Sequence, residues 1–185
     1  MKRKKVLVLR TCRADLTSHE GKFKWKEKGV VKALDWKPVA DCGNGLHGLL
    51  NGEGDGSLLN WDTSAKWLVV EVDADRVVDL QGKVKFPEGK VVFCGTRFEA
   101  TNFLASKLTG SHGIAGYQAT AGYMGTATAG YMGTATAGDR GTIEIAYYDD
   151  DANRQRKIVG YIGEKGLKAG VKYKLNDKHE FEEVK

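Results

Sequence analysis

The segment Cys42-Gly43-Asn44-Gly45-Leu46-His47-Gly48 places a thiol and an imidazole five residues apart among glycines. Glycine removes the Cβ and permits positive φ, so such a loop lets backbone come close to a ligand. Asp35-Trp36 precedes it, and Gly52-Glu53-Gly54-Asp55-Gly56 and Trp61 follow. A metal reading draws Cys42 and His47 together with Cys12 and His19. Their Cys-x6-His and Cys-x4-His spacings match no zinc knuckle, so no metal or other cofactor is expected. Nucleophilic catalysis by a Cys–His pair needs mutual geometry that spacing alone does not supply. The plainest alternative is a tight glycine turn with a buried thiol and a hydrogen-bonded imidazole. The expected ligand-binding set is Arg10, Trp36, Cys42, Asn44, His47 and Trp61.

A second chemical feature is Lys22-Phe23-Lys24-Trp25-Lys26-Glu27-Lys28. On a strand, Lys22, Lys24, Lys26 and Lys28 share one face and the aromatic rings the other. This makes a basic patch, yet base stacking and phosphate contact would fall on opposite surfaces. A lysine-protected edge strand is the simpler expectation. Asp149-Asp150-Asp151 suggests a cation site at first sight. No helix or distant acid is placed to complete it, so it reads as a solvated hairpin tip.

The elements that must position these residues follow from periodicity. Residues 1–110 read as a mixed α+β domain. Its strands are expected at 5–11, 22–26, 65–72, 76–80 and 90–93, with another at 81–86, and a helix over 97–108. Residues 111–146 are different: nine of the 24 glycines lie between Gly110 and Gly141, and no Asp, Glu, Lys or Arg occurs from Leu108 to Gly138. Self-comparison shows an eight-residue period. Thr126-Ala-Thr-Ala-Gly-Tyr-Met-Gly133 is followed by Thr134-Ala-Thr-Ala-Gly-Asp-Arg-Gly141. Alternation predicts a strand and the paired glycines a turn, so the octads predict a short flattened β-solenoid with two units per coil. Ala119, Ala121, Ala127, Ala129, Ala135 and Ala137 would point inward. Residues 147–185 predict a β-hairpin cap.

Two functions for the tract are disfavoured. Calcium binding needs acids at the turns. Ice binding needs a long flat Thr-x-Thr array, whereas each face here carries about one pair. Tyr123, Met124, Tyr131 and Met132 remain as an exposed contact edge for a partner or a second copy.

The chain has 185 residues and a net charge of +5. No apolar run reaches the ~18 residues of a membrane span. The basic start followed by Val6-Leu7-Val8-Leu9 reads as a first strand rather than a leader. Three dispersed cysteines give no disulfide framework, so a reduced, cytoplasmic setting is expected.

The motifs Leu9-Arg10, Gly29, Asp35-Trp36, Cys42–Gly48, Trp67–Val72 and Lys83–Phe86, followed by the octads, resemble an uncharacterised bacteriophage and prophage family. The resemblance implies a phage source and carries no assigned activity. Arg10, Gly45-Leu46-His47 and Leu68–Val72 are also similar in order to the ADP-ribosyltransferase-like fold. That resemblance implies Arg10 and His47 as candidate catalytic residues. Glu99 lies on the expected helix and Glu71 inside the strand after the loop, so neither occupies that family's catalytic-glutamate place, which implies binding of an NAD-like ligand without transfer. The combined expectation is a phage-encoded, non-catalytic binding protein, acting on a host protein or a small nucleotide-like ligand and able to self-associate. An enzyme or nucleotide binder of ADP-ribosyltransferase type is the alternative, and a basic nucleic-acid binder the third.

Overall fold

A computed structural model describes residues 4–18 and 20–184. His19 of the metal reading, and Lys2 and Arg3 of the basic start, lie outside the described residues.

The strand β1 (Lys5–Cys12) reads Lys-Val-Leu-Val-Leu-Arg-Thr-Cys, apolar at successive positions, so both its faces must be covered. It pairs along its full length with β4 (Lys66–Asp73), antiparallel from Lys5↔Asp73 to Cys12↔Lys66. Around this pair runs a seven-stranded sheet joined entirely by antiparallel pairings. β2 (Gly29–Lys32) and β7 (Glu88–Gly95) lie beyond β4. On the far side of β1 come β3 (Leu46–Leu50), β6 (Val84–Phe86) and β5 (Val78–Asp79).

Each face builds its own core. Val8, Cys12, Leu68, Val70, Val72 and Phe86 cluster on one side, joined by Trp25 from the segment after β1. On the other side Leu9, Leu49, Trp67 and Val69 meet Ala100 and Leu104 of the helix α1 (Arg97–Lys107). The helix starts at a capping box: the Thr96 hydroxyl accepts from the Glu99 backbone N–H, and the Glu99 carboxylate accepts from the Thr96 backbone N–H. Ile114 and Ala115 belong to the same core, so packing runs unbroken past residue 110.

The octads form β8 (Gln118–Ala121), β9 (Thr126–Ala129) and β10 (Thr134–Ala137), leading into β11 (Thr142–Asp149). Successive strands alternate between two small sheets. β8 pairs in parallel with β10, and β9 in parallel with β11. β12 (Arg154–Tyr161) then extends the second sheet, and β13 (Tyr173–Leu175) with β14 (Phe181–Glu183) the first, all antiparallel.

The expected fold class is therefore corrected. Strands make up 41% and helices 9% of the described residues, and α1 is the one α-helix among them, so the N-terminal part is not an α+β domain. Nor does a free-standing solenoid followed by a separate cap form. Four-residue Thr-Ala strands bury little beyond alanine methyl groups, at about 0.8 kcal/mol per buried carbon. The larger side chains of the third core come from later in the chain: Ile143, Ile145, Ile162 and Tyr173. Octads and C-terminal strands accordingly share the same two sheets.

The expected strand over 22–26 shrinks to one isolated bridge, Thr17↔Lys24. Phe23 and Trp25 turn inward instead, edge to face at 5.4 Å, while Lys22, Lys24, Lys26 and Lys28 stay exposed along a loop rather than ranked on one strand face.

Candidate functional site

Among the described residues β1 and β3 are bridged at Val8↔Leu50 and Leu9↔Leu49. Past that point the ladder stops, and Arg10 on one strand and His47 on the other border a cleft of about 730 Å³. The next position of β3 still lies tight against β1 and requires glycine: a Cβ on Gly48 would stand 2.4 Å from Val8 Cγ1 and 2.6 Å from the Leu9 carbonyl oxygen. Phe23, Trp25, Leu46, Leu49 and Leu59 supply apolar wall, and Lys83 stands at the margin.

The Cys42–Gly48 loop is anchored from β6. Lys85, fully buried opposite His47 in the β3–β6 pair, donates to the carbonyl oxygens of Asp41 at 2.8 Å and Gly43 at 3.3 Å. Its ammonium also lies 5.8 Å from the centre of the Trp36 ring. Lys83 Nζ donates to Cys42 Sγ at 3.1 Å. The loop thus closes over a concentrated positive charge: Arg10, Lys83 and Lys85.

That charge acts on His47. Burial, then Lys83, Arg10 and Lys85, push its pKa down to about 4, opposed by a hydrogen bond to the Gly45 backbone. The imidazole is neutral at pH 7. Burial also lowers the Arg10 pKa from its ordinary value, offset by Cys12. Among the described residues three buried side-chain nitrogens at this cleft lack a partner: Arg10 Nε, Trp25 Nε1 and His47 Nε2. Each unpaired buried group costs about 1–3 kcal/mol, and such groups concentrate where a ligand or water completes the bonding.

Of the expected ligand-binding set, Arg10, Cys42, Asn44 and His47 line this cleft. Trp36 lies behind it, 3.0 Å from where a Gly45 Cβ would be. Trp61 is elsewhere: its Nε1 donates to the Gly56 carbonyl at 2.9 Å, and its ring packs edge-on against Trp67 at 5.2 Å. Cys42 is exposed rather than buried, and His47 keeps an unpartnered nitrogen, so the plain turn reading is incomplete. Glu99, on the helix, is spent on the α1 cap. No group of three or more His, Cys, Asp or Glu suited to a metal occurs among the described residues. Sequence reasoning missed Trp25 and Lys85 as site residues. Trp25 sits in a lysine-rich run that reads as surface, and nothing local marks Lys85 as buried.

A second surface lies on the octads. Thr134 stands beside Gln118 and Thr136 beside Thr120, on strands in parallel register. All four lie on the side away from the buried Ala119, Ala135 and Ala137. The other sheet is less regular. Thr128 is 7% exposed and donates to Glu144 at 3.2 Å, which in turn pairs with Lys157 at 3.1 Å. The Tyr-Met turns do not form one edge. Tyr123-Met124 stacks beside Asp139, whose carbonyl accepts from the Met124 N–H at 3.0 Å. Tyr131 instead packs on Trp61 at 5.7 Å, leaving Met132 exposed beside it.

Residues 6–105 match the model of a family described as Domain of unknown function (DUF7666). Over 106 residues the chain is 42% identical to the ice nucleation protein InaU of Pantoea ananas, covering 56% of this chain and 10% of that protein. An ice nucleation protein of Enterobacter agglomerans is 42% identical over 106 residues, 56% of this chain and 8% of the relative. One from Pseudomonas syringae is 37% identical over 105 residues, 56% of this chain and 9% of the relative. The chain thus spans a tenth or less of the length of these relatives. No solved structure matches it.

These findings correct the family and functional expectations. The relatives are bacterial ice nucleation proteins, which overturns the phage assignment and the host-directed binding role drawn from it. No ADP-ribosyltransferase resemblance emerges, so the catalytic roles it implied for Arg10 and His47 lose their basis. Cytoplasmic placement, expected from the dispersed cysteines, conflicts with the same relatives.

Proposed function

We propose that this chain, which belongs to the DUF7666 family through residues 6–105, presents a short water-ordering hydroxyl array on its octad strands. The observation that carries this reading is the register of β8 with β10, which sets Thr136 beside Thr120 and Thr134 beside Gln118. In-register parallel strands repeat a side chain at the strand spacing of about 4.8 Å. The fully buried Ala135 and Ala137 fix the height of the hydroxyls above the core. Hydroxyls held in this way bond water in fixed positions. The similarity to ice nucleation proteins supports the same reading.

The array is small, and its size shapes the expected behaviour. It is two strands wide, and the two strands beyond β10 carry the ion pair Lys174–Glu182 at 3.5 Å. A single chain orders few waters, so ice activity requires copies side by side. Droplet freezing is therefore expected to rise more steeply than linearly with protein concentration. The triple variant Thr120→Lys, Thr134→Lys, Thr136→Lys, checked for unchanged circular dichroism, should freeze as buffer does. Wild-type droplets indistinguishable from buffer at every concentration, or a fully active variant, would refute the reading.

A further inference from the structure

The octad array leaves the cleft at the end of the β1–β3 ladder without a role, and its chemistry is specific. Three nitrogens, Arg10 Nε, Trp25 Nε1 and His47 Nε2, are buried at one cleft and partnerless among the described residues. Trp25 itself is 3% exposed, so its indole N–H has no recourse to bulk water. The Arg10 guanidinium lies 5.8 Å from the centre of the Trp25 ring, which brings a fixed cation and a neutral donor to the same wall.

We propose that this cleft binds a small molecule bearing an oxyanion, carboxylate or phosphate, on a compact apolar body. First, an arginine N–H and an indole N–H are donors only, so they call for an acceptor. Second, the charge favours an anion. Arg10 and Lys83 line the cleft and Lys85 lies beneath the loop that closes it. The acids at the same rim are Glu20, which pairs with Lys22 at 2.6 Å, and Asp35. Third, the remaining walls are Phe23, Leu46, Leu49 and Leu59, which suit a ring or short hydrocarbon rather than a hydrated inorganic ion. The neutral His47 adds, elsewhere on the same lining, an Nε2 without a partner among the described residues, able to accept from a ligand hydroxyl.

This site is independent of the ice reading, since Thr120, Thr134 and Thr136 are not among its lining residues. Calorimetric titration of the full chain with inorganic phosphate, benzoate and neutral benzamide tests it. Benzoate or phosphate should bind and benzamide should bind at least tenfold more weakly. Tighter benzoate than phosphate would place the apolar wall in the recognition; the reverse would identify phosphate esters as the source of the anion.

Two variants separate a binding role from a structural one. Arg10→Met should weaken the anion at least tenfold while leaving the melting temperature of the free protein unchanged or higher, because it removes a cation that burial disfavours and whose Nε lacks a partner among the described residues. Trp25→Phe keeps the ring and deletes only the donor, and should weaken binding several-fold. Should Arg10→Met fail to fold, Trp25→Phe decides alone. Absence of binding by both anions, equal binding of benzamide, or anion affinity unmoved in the folded variants would overturn the proposal.

Discussion

Tyr131, in the second octad turn, rests directly on the backbone of Gly56: a Cβ at Gly56 would stand 2.5 Å from Tyr131 Cβ. The Gly56 carbonyl also accepts the Trp61 indole N–H, and Trp61 packs in turn on Tyr131. This triangle joins the large sheet to the repeat strands. Gly56→Ala forces the ring away and is expected to cost about 1–3 kcal/mol by overpacking. Denaturant unfolding monitored separately by tryptophan fluorescence and by circular dichroism checks it. A change within experimental error would mean that the junction yields freely.

The octad core makes an equally sharp distinction between adjacent faces. Ala135 is fully buried between Ala119 and Tyr173, whereas Thr120 is exposed on the neighbouring strand. A carboxylate at Ala135 would be buried without a counterion, which costs several kcal/mol. Ala135→Glu should therefore abolish the cooperative transition, while Thr120→Glu stays within about 0.5 kcal/mol of wild type. Thr128 is no substitute for Thr120 as the tolerant position, because it is covered and faces Glu144.

His47 makes stability depend on pH in a stated direction. Its folded pKa, about 4, lies below the ordinary value of 6.5, so between these values the unfolded chain binds more protons. The His47 contribution is complete above about pH 6.5 and is lost progressively as the pH falls toward 4. His47→Gln should flatten this part of the stability–pH curve. Denaturation midpoints measured from pH 7.5 to 4 in both proteins provide the check, and parallel curves would show that His47 does not titrate in this window.

Several features were readable from local pattern. The apolar run of β1, the helix over Arg97–Lys107 and the alternation of the octads each follow from the period of the residues. The candidate cleft was readable only in part. Arg10, Cys42, Asn44 and His47 stood out by type and spacing, and they do line it. Trp25 and Lys85 did not, because burial of a residue among lysines, or of a lysine itself, depends on segments distant in sequence. Lys85 is held by carbonyls 42 and 44 residues away.

The uneven glycine distribution and the charge-free stretch from Leu108 to Gly138 are properties of the sequence alone, and they determine that the octads alternate strand and turn. What the strands join was decided by tertiary packing. Alanine strands bury too little surface to stand alone, so they recruit Ile143, Ile145, Ile162 and Tyr173 and merge with the C-terminal strands. The end of the β1–β3 ladder was decided in the same way. No residue pattern specifies where a ladder stops, yet Arg10 and His47 lie beyond that stop and, with Trp25, carry nitrogens at one cleft that lack a partner among the described residues.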